Sequence, residues 1–464
     1  MPDPRNASAP TRDQALAARP EKTVESRRGA WLHAKFPAFR YRNYRLFWSG
    51  QLVSITGRWM QTVAQAWLVV DELDATAFQL SLVTSLQFAP ILLFGLFAGV
   101  LADRMPKRNL LLATQVAMAI LASILAVLVA TGTVELWHVF VLALGLGIAN
   151  AFDMPARQAF VSEMVDREAV MSAVALNSAV FNSGRIVGPA IAGVLLAAFG
   201  PAICFGLNAI SYVGVIVALL KMRLRPVRGD ASGSPVASLR EGLAYVRATP
   251  DILRPTLLVG LIGIFGMNFN VWLPLLTRES FAAGATAFGL LFAAMGVGSL
   301  SGALGLAALG SSPDRGRMYV TGLGLGAALL LLALTAALPG GIWLASACLA
   351  AAGFVTTMTT ATANTLVQTT ASDELRGRVM AVYSTVFAGT IPIGALIAGT
   401  VAGLAGASVS VAIGGAIVAG GTLALASLAR RSRTSASPAT ARADAGSVAA
   451  GTGSLNATTL RRRN

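Results

Sequence analysis

The sequence predicts an all-α polytopic membrane protein with twelve spanning helices in two six-helix bundles. Three observations carry that expectation. Of 464 residues, 55% are hydrophobic and only 12% charged, whereas soluble domains carry about 25% charge. Apolar runs of spanning length recur along the chain, and in a bilayer such a run must be a helix that satisfies its own backbone. The second half also repeats the first. At an offset of 206 residues Gly57 meets Gly263, Gly99 meets Gly305, Glu168 meets Glu374, Ser178 meets Ser384 and Gly188 meets Gly394.

Residues 1–45 read as a cytoplasmic tail and interfacial segment. Residues 1–35 are rich in Ala, Pro, Arg and acids, and residues 1–30 lack the apolar core of a cleaved signal peptide. Aromatics then alternate with Arg40, Arg42 and Arg45, as at a membrane surface. The first bundle, 46–221, contains spans near 46–70, 79–101, 109–130, 136–155, 172–199 and 202–221. Residues 222–254 form a cytoplasmic linker with Arg223, Arg225 and Arg228. Its short helix puts Leu239, Leu243 and Val246 on one face, which suits a helix lying on the membrane. The second bundle, 255–429, repeats the pattern near 255–277, 284–309, 318–338, 341–368, 378–402 and 407–429. Residues 430–464 read as a disordered basic tail.

Charge sets the orientation. The connections near 71–78, 131–135, 200, 339–340 and 403–406 hold no Lys or Arg, and among the outward turns only that at Arg278 has a base. Arg104, Lys107, Arg108, Arg157, Arg167, Arg315, Arg317, Arg376 and Arg378 crowd the alternate connections. Bases concentrate on the cytoplasmic side, so both termini are expected there. The net charge of +15 is then matched to anionic lipid and not to nucleic acid. Cys204 and Cys348 both lie in apolar runs, and the two histidines are His33 in the tail and His138 near a span end. No metal site, cofactor or His-based catalytic centre is expected, so the chain does not read as an enzyme.

The stretch GVLADRMPKR, 99–108, ends one span on Asp103 and opens the next after Pro106. By itself it could be an ordinary basic hairpin. It resembles the signature loop between the second and third helices of the major facilitator superfamily, with Pro106 where that family usually has Gly. The resemblance implies a gating role for Gly99, Asp103, Arg104, Lys107 and Arg108, with Asp103 latching onto a second-half helix near Arg378. NSAVFNSGRIVGPAIAG, 177–193, resembles the fifth-helix motif of the superfamily's antiporters, carried here by Gly184, Gly188, Pro189 and Gly193. Plain helix packing is the competing explanation for those glycines. FDMPARQAFVSEMV, 152–165, and WMQTVAQAWLVV, 59–70, look like the drug:proton antiporter and transmembrane secretion effector branch, which holds enterobactin and macrolide exporters.

Arg58 and Arg185 stand mid-span, where a charge costs about 2.5–3.5 kcal/mol, so a wet cavity or bundle interior is expected around them. No acid is placed mid-span beside either one. Gln61, Gln65, Asn177, Asn182, Asn268 and Asn270 complete the candidate substrate cavity, although each could instead tie two helices together. For proton coupling the candidates are Asp153 and Asp71, and Asp153 could equally cap a short helix after Pro155. The expected activity is secondary active export of a small amphipathic molecule by a monomer, exchanging protons by alternating access. An ATP-driven pump would need a phosphate-binding GxxxxGK[ST] loop, which the sequence lacks. A membrane enzyme and a non-transporting sensor on the same scaffold are the other readings.

Overall fold

A computed structural model of the chain describes residues 36–222, 235–309 and 314–453, and their side chains except at 96, 100, 102–104, 162, 235–238 and 432–453. The fold is helical. After a short turn at Pro37–Arg40 come α1 (Arg42–Trp67), α2 (Ala77–Arg104), α3 (Lys107–Ala130), α4 (Leu136–Glu163), α5 (Val170–Phe199) and α6 (Pro201–Lys221). The linker contributes α7 (Pro235–Ala248). Then follow α8 (Pro250–Phe265), α9 (Phe269–Leu275), α10 (Ala285–Ala308), α11 (Arg315–Thr335), α12 (Gly341–Thr370), α13 (Arg376–Ala405) and α14 (Ala407–Gly453).

Local chemistry explains the boundaries. Thr76 and Gln79 close a reciprocal capping box at the start of α2. Pro106 separates α2 from α3 because it cannot continue a helix. Asp314 accepts from the Gly316 N–H at 2.7 Å and so caps α11. The expected seventh span is broken in two between Phe265 and Phe269. Asn268 Nδ2 donates to the Ile264 carbonyl at 2.7 Å, replacing the backbone bond that an unbroken helix would make there. The expected end of span four near residue 155 is also corrected. α4 runs through Pro155 to Glu163, so Asp153 does not cap a following helix, and Arg157 lies in a span and not in a loop. Prolines are tolerated inside spans where neighbouring helices re-satisfy the freed backbone.

Eleven helical segments among the described residues are long and apolar enough to cross a membrane. α1 is also of spanning length but carries Arg45, Gln51, Arg58, Gln61 and Gln65. It lies against α5 and α6, and Gln51, Gln61 and Gln65 are buried. The outer surface is apolar instead. On α3, Val116, Ile120, Ile124 and Val127 are exposed at helical spacing and face lipid.

Packing repeats between the halves. α1 packs on α5 and α6, α2 on α4, and α3 on α4 and α6. In the same way α8 packs on α13 and α14, α10 on α12, and α11 on α12 and α14. Backbone irregularities repeat too: the π-helical turns Leu68–Glu72 and Leu276–Ser280, and the left-handed Gly132 and Gly340, are pairs 208 residues apart. Two long seams join the halves, α5 against α10 and α2 against α13. The interhelical contacts within each half are as close. A Cβ on Gly298 of α10 would lie 1.8 Å from the Ala350 carbonyl oxygen of α12, so only glycine allows that approach.

Candidate functional site

Between the halves lies a cavity of about 680 Å³, lined by Gly95 of α2, Met154 and Gln158 of α4, Asn364 of α12, and Tyr383 and Ser384 of α13. These positions fall in the parts of the helices nearest the base-rich connections. The opposite end is shut. Gly193 of α5 meets the start of α10, where an added Cβ would lie 3.0 Å from the Gly289 Cα and 3.1 Å from the Ala285 oxygen. Gly399 of α13 meets the start of α2 in the equivalent way, 2.3 Å from the Ser81 Cβ. Ser85 donates to the Pro392 carbonyl across that second seam at 2.9 Å. Arg278 adds a polar latch. It contacts the Val70 carbonyl, Asp74 at 2.8 Å and Asp71 at 3.7 Å, tying the end of the seventh span to the end of the first. Asp71 is therefore paired at the closed outer rim and does not reach the interior.

None of the eight cavity residues selected from the sequence lines this space in the present conformation. Gln61 accepts from Asn208 Nδ2 at 2.5 Å and fastens α1 to α6. Asn182 donates to Ser178 on its own helix, and Asn268 supports the helix break. Gln65 is buried, while Asn177 and Asn270 are half-buried. Amides in a span satisfy themselves on nearby carbonyls or on the adjacent helix, and sequence position does not distinguish that from a ligand site.

What the structure does bring together is a buried charged cluster in the first bundle. Asp153 of α4 is 1% exposed. Its carboxylate accepts from Thr114 Oγ1 at 3.0 Å, Gln115 Nε2 at 2.8 Å and Arg157 Nε at 2.9 Å, and pairs with a second Arg157 nitrogen. Arg157, 8% exposed, also donates to Gln51 Oε1 of α1. One turn away Arg58 donates to Asn150 Oδ1 at 3.4 Å. The expectation that no acid stands mid-span near Arg58 is thus corrected: Asp153 lies deep enough to be enclosed by α1, α3 and α4. Thr114, Gln115 and Gln51 were passed over in the sequence, and Arg157 was read as a base of a connection. The signal was the i, i+4 spacing of Asp153 and Arg157, masked by Pro155 between them.

Arg185 is different. Its guanidinium lies 5.8 Å from the Trp59 ring centroid, and Phe181 meets the same indole edge-on at 5.8 Å. Its Nε is buried without a hydrogen-bond partner, and no carboxylate pairs with it among the described residues. Gly184 and Gly188 bring α5 against α1 beside it. A Cβ on Gly188 would lie 2.7 Å from the Thr56 oxygen. The antiporter-like glycines thus form two contacts, one with α1 and one, at Gly193, with the other half. In the loop at 99–108, Gly99 meets no neighbour, and the side chains of Asp103 and Arg104 lie outside the described residues. Lys107 pairs with Glu163, and Arg108 donates to the Leu219 and Leu220 carbonyls at 2.7 and 3.0 Å. Arg378 at the start of α13 pairs with Glu241 of the linker helix α7.

The family profile for transmembrane secretion effectors matches residues 33–450. The chain belongs to that family. Its relatives include the multidrug efflux pump Tap of Mycolicibacterium fortuitum, 30% identical over 76% of this chain and 88% of Tap. The enterobactin exporter EntS of Salmonella typhi is 26% identical over 74% of this chain and 81% of EntS. In fold it matches a bacterial homolog of the human lysosomal transporter Spinster in an inward-facing, unoccupied conformation, with TM-score 0.62 and 13% identity over 83% of this chain and 95% of that one. The chain is a multi-pass membrane transporter of the major facilitator fold.

Proposed function

We propose that this secretion effector exports a small amphipathic molecule bearing an anionic or electron-rich group, exchanging it for protons across the cytoplasmic membrane. The base-rich connections then face the cytoplasm, both termini lie there, and the protein works as a monomer. Residues 46–221 and 255–429 are the two bundles that rock about a central site. In that frame the cavity opens inward while the Gly193, Gly399 and Arg278 contacts close the outer face.

The observation that carries the substrate chemistry is Arg185. A cation with a bare buried Nε, set over Trp59, pairs with no acid among the described residues and is compensated by an arriving anion. Trp59 and Phe181 offer aromatic surface to the apolar body. For coupling, Asp153 is the one fully buried carboxylate among the described side chains. Its protonation would release Arg157, which also holds Gln51 of α1, so a proton would loosen α4 from α1.

The test compares matched anionic and cationic substrates in proteoliposomes. Arg185→Gln should abolish export of the anionic member and spare the cationic one, and an uncoupler should stop both. Loss of the cationic member alone, or flux unchanged by the uncoupler, overturns the proposal.

A further inference from the structure

α1 carries a polar stripe that the cavity between the bundles does not use. Gln51, Ser54, Arg58, Gln61 and Gln65 recur at alternating steps of three and four residues, so they share one face of the helix. At 1.5 Å per residue the stripe is about 21 Å long. Gln51, Ser54, Gln61 and Gln65 are each at most 5% exposed. The stripe faces the interior of the first bundle. Gln51 and Arg58 reach Arg157 and Asn150 of α4, and Gln61 reaches Asn208 of α6. Gly57 lets α6 close on α1 there, since an added Cβ would lie 2.6 Å from Asn208 Oδ1 and 2.8 Å from Ser211 Oγ.

α4 is the wall between this seam and the cavity. Its Ala151, Met154 and Gln158 line the cavity, whereas Asn150, Asp153 and Arg157 bond into the seam. The second half packs its helices in the same arrangement without such a stripe. At the offset of 206 the five positions become Leu257, Gly260, Ile264, Met267 and Val271. Helix packing by itself therefore does not require polar residues there.

The protein does not satisfy the seam alone. Gln51 Nε2, Ser54 Oγ and Gln115 Oε1 are buried without a hydrogen-bond partner. Turning the two amides does not cure this. Gln51 presents its oxygen to Arg157, and Gln115 presents its nitrogen to Asp153, so each is left with one atom over. Buried polar groups that the chain leaves unpaired are paired by internal water, which takes about three hydrogen bonds. A donor, an acceptor and a hydroxyl around one ion pair are the partners such water needs.

We infer, building on the coupling role of Asp153 proposed above, that ordered waters fill this seam and carry protons to Asp153 inside the first bundle, apart from the path of the substrate. A proton passed along hydrogen-bonded waters ends on the Asp153 carboxylate and leaves by the same kind of transfer, so no further reactant is needed. The ionisable groups facing Asp153 are Arg157 on its own helix, Arg58 on α1 and Tyr212 on α6, while α3 offers Thr114 and Gln115. With separate routes, substrate in the cavity does not block protons from the carboxylate.

The experiment uses the purified full-length chain, in detergent for labelling and in proteoliposomes for flux. Radiolytic hydroxyl labelling reports water beside buried side chains. Tyr212 and Met118 are both 0% exposed, and Met118 lies one turn beyond Gln115 on α3. Both should be labelled in wild type, and Met295, buried in the second half, should not. In proteoliposomes the readout is the ratio of proton-driven export to substrate exchange without a gradient. Gln115→Leu should lower that ratio about tenfold or more, the scale of a lost hydrogen bond to a charged group, and should weaken labelling of Met118. Thr359→Val, at the position equivalent to Asp153, should keep the wild-type ratio. If Gln115→Leu does not purify as a monodisperse protein, Tyr212→Phe, which removes one hydroxyl, provides the same comparison. Absence of label from both Tyr212 and Met118 overturns the water-filled seam. A wild-type ratio in Gln115→Leu or Tyr212→Phe overturns the proton path. Wild-type export that ignores an uncoupler overturns the coupling role of Asp153 and the proton path with it, while labelling still decides the waters.

Discussion

Replacing Asp153 by Asn tests the buried cluster most directly. The change preserves shape and removes one charge. Arg157 stays charged at 8% exposure and loses its carboxylate partner, keeping Gln51 as acceptor. Removing one member of a buried pair costs about 3–5 kcal/mol. The Asn carbonyl can still accept one hydrogen bond, which returns about 0.5–1.5 kcal/mol. The net destabilisation is therefore about 2–4 kcal/mol, a fall of roughly 5–15 °C in the midpoint of a bundle of this size. Adding Arg157→Gln removes the stranded charge, so the double variant should recover most of that loss. Coupling should not recover, because no carboxylate remains in the cluster. The assays are thermal unfolding of purified protein and substrate export driven by an imposed proton gradient. Wild-type stability in the single variant would refute the closed buried network. A double variant that still concentrates substrate against a gradient, and stops with an uncoupler, would remove Asp153 from the proton path.

Arg278→Gln should weaken the outer latch. Its carboxylate partners are solvent-exposed, so the ion pairs contribute only about 0–1 kcal/mol. Spin labels at Ala75 and Ala283 should then report a population with a longer separation, and an unchanged distance distribution would remove the latch. Gly193→Val should block transport while leaving membrane insertion normal, because its side chain would enter the Ala285–Gly289 backbone of α10. Wild-type flux from that variant would show that the outer seam need not close. From the motif alone, Asp103→Asn should impair transport without changing expression, as measured by proteoliposome flux.

Much of the architecture was legible in the sequence because a bilayer imposes few solutions. A run of about twenty apolar residues without charges must be a helix. Charge asymmetry assigns alternate connections to one side. The internal repeat anticipated the matched packing of α1–α6 and α8–α14. Gly188 and Gly193 marked close contacts, as spaced glycines in spans do. The Pro106 hairpin sits where the turn chemistry puts it, between α2 and α3.

The composition and order of residues alone determined that this chain crosses a membrane many times as two related halves, because burying backbone in lipid permits nothing else at this apolar content. The partners of individual polar groups belonged to the tertiary structure. Asp153 was read either as a proton-coupling group or as a cap for a helix after Pro155, and the cap fails because neighbouring helices tolerate that proline and carry α4 past it. Gln51 and Gln115 lie far from Arg157 and Asp153 in sequence, and only the crossing of α1, α3 and α4 brings them together. Gln61 and Asn268 were read as ligands or as ties between helices, and in the structure they bond Asn208 and the Ile264 carbonyl, because a polar group in a span bonds whatever lies within about 3 Å, and the backbone path alone decides what that is.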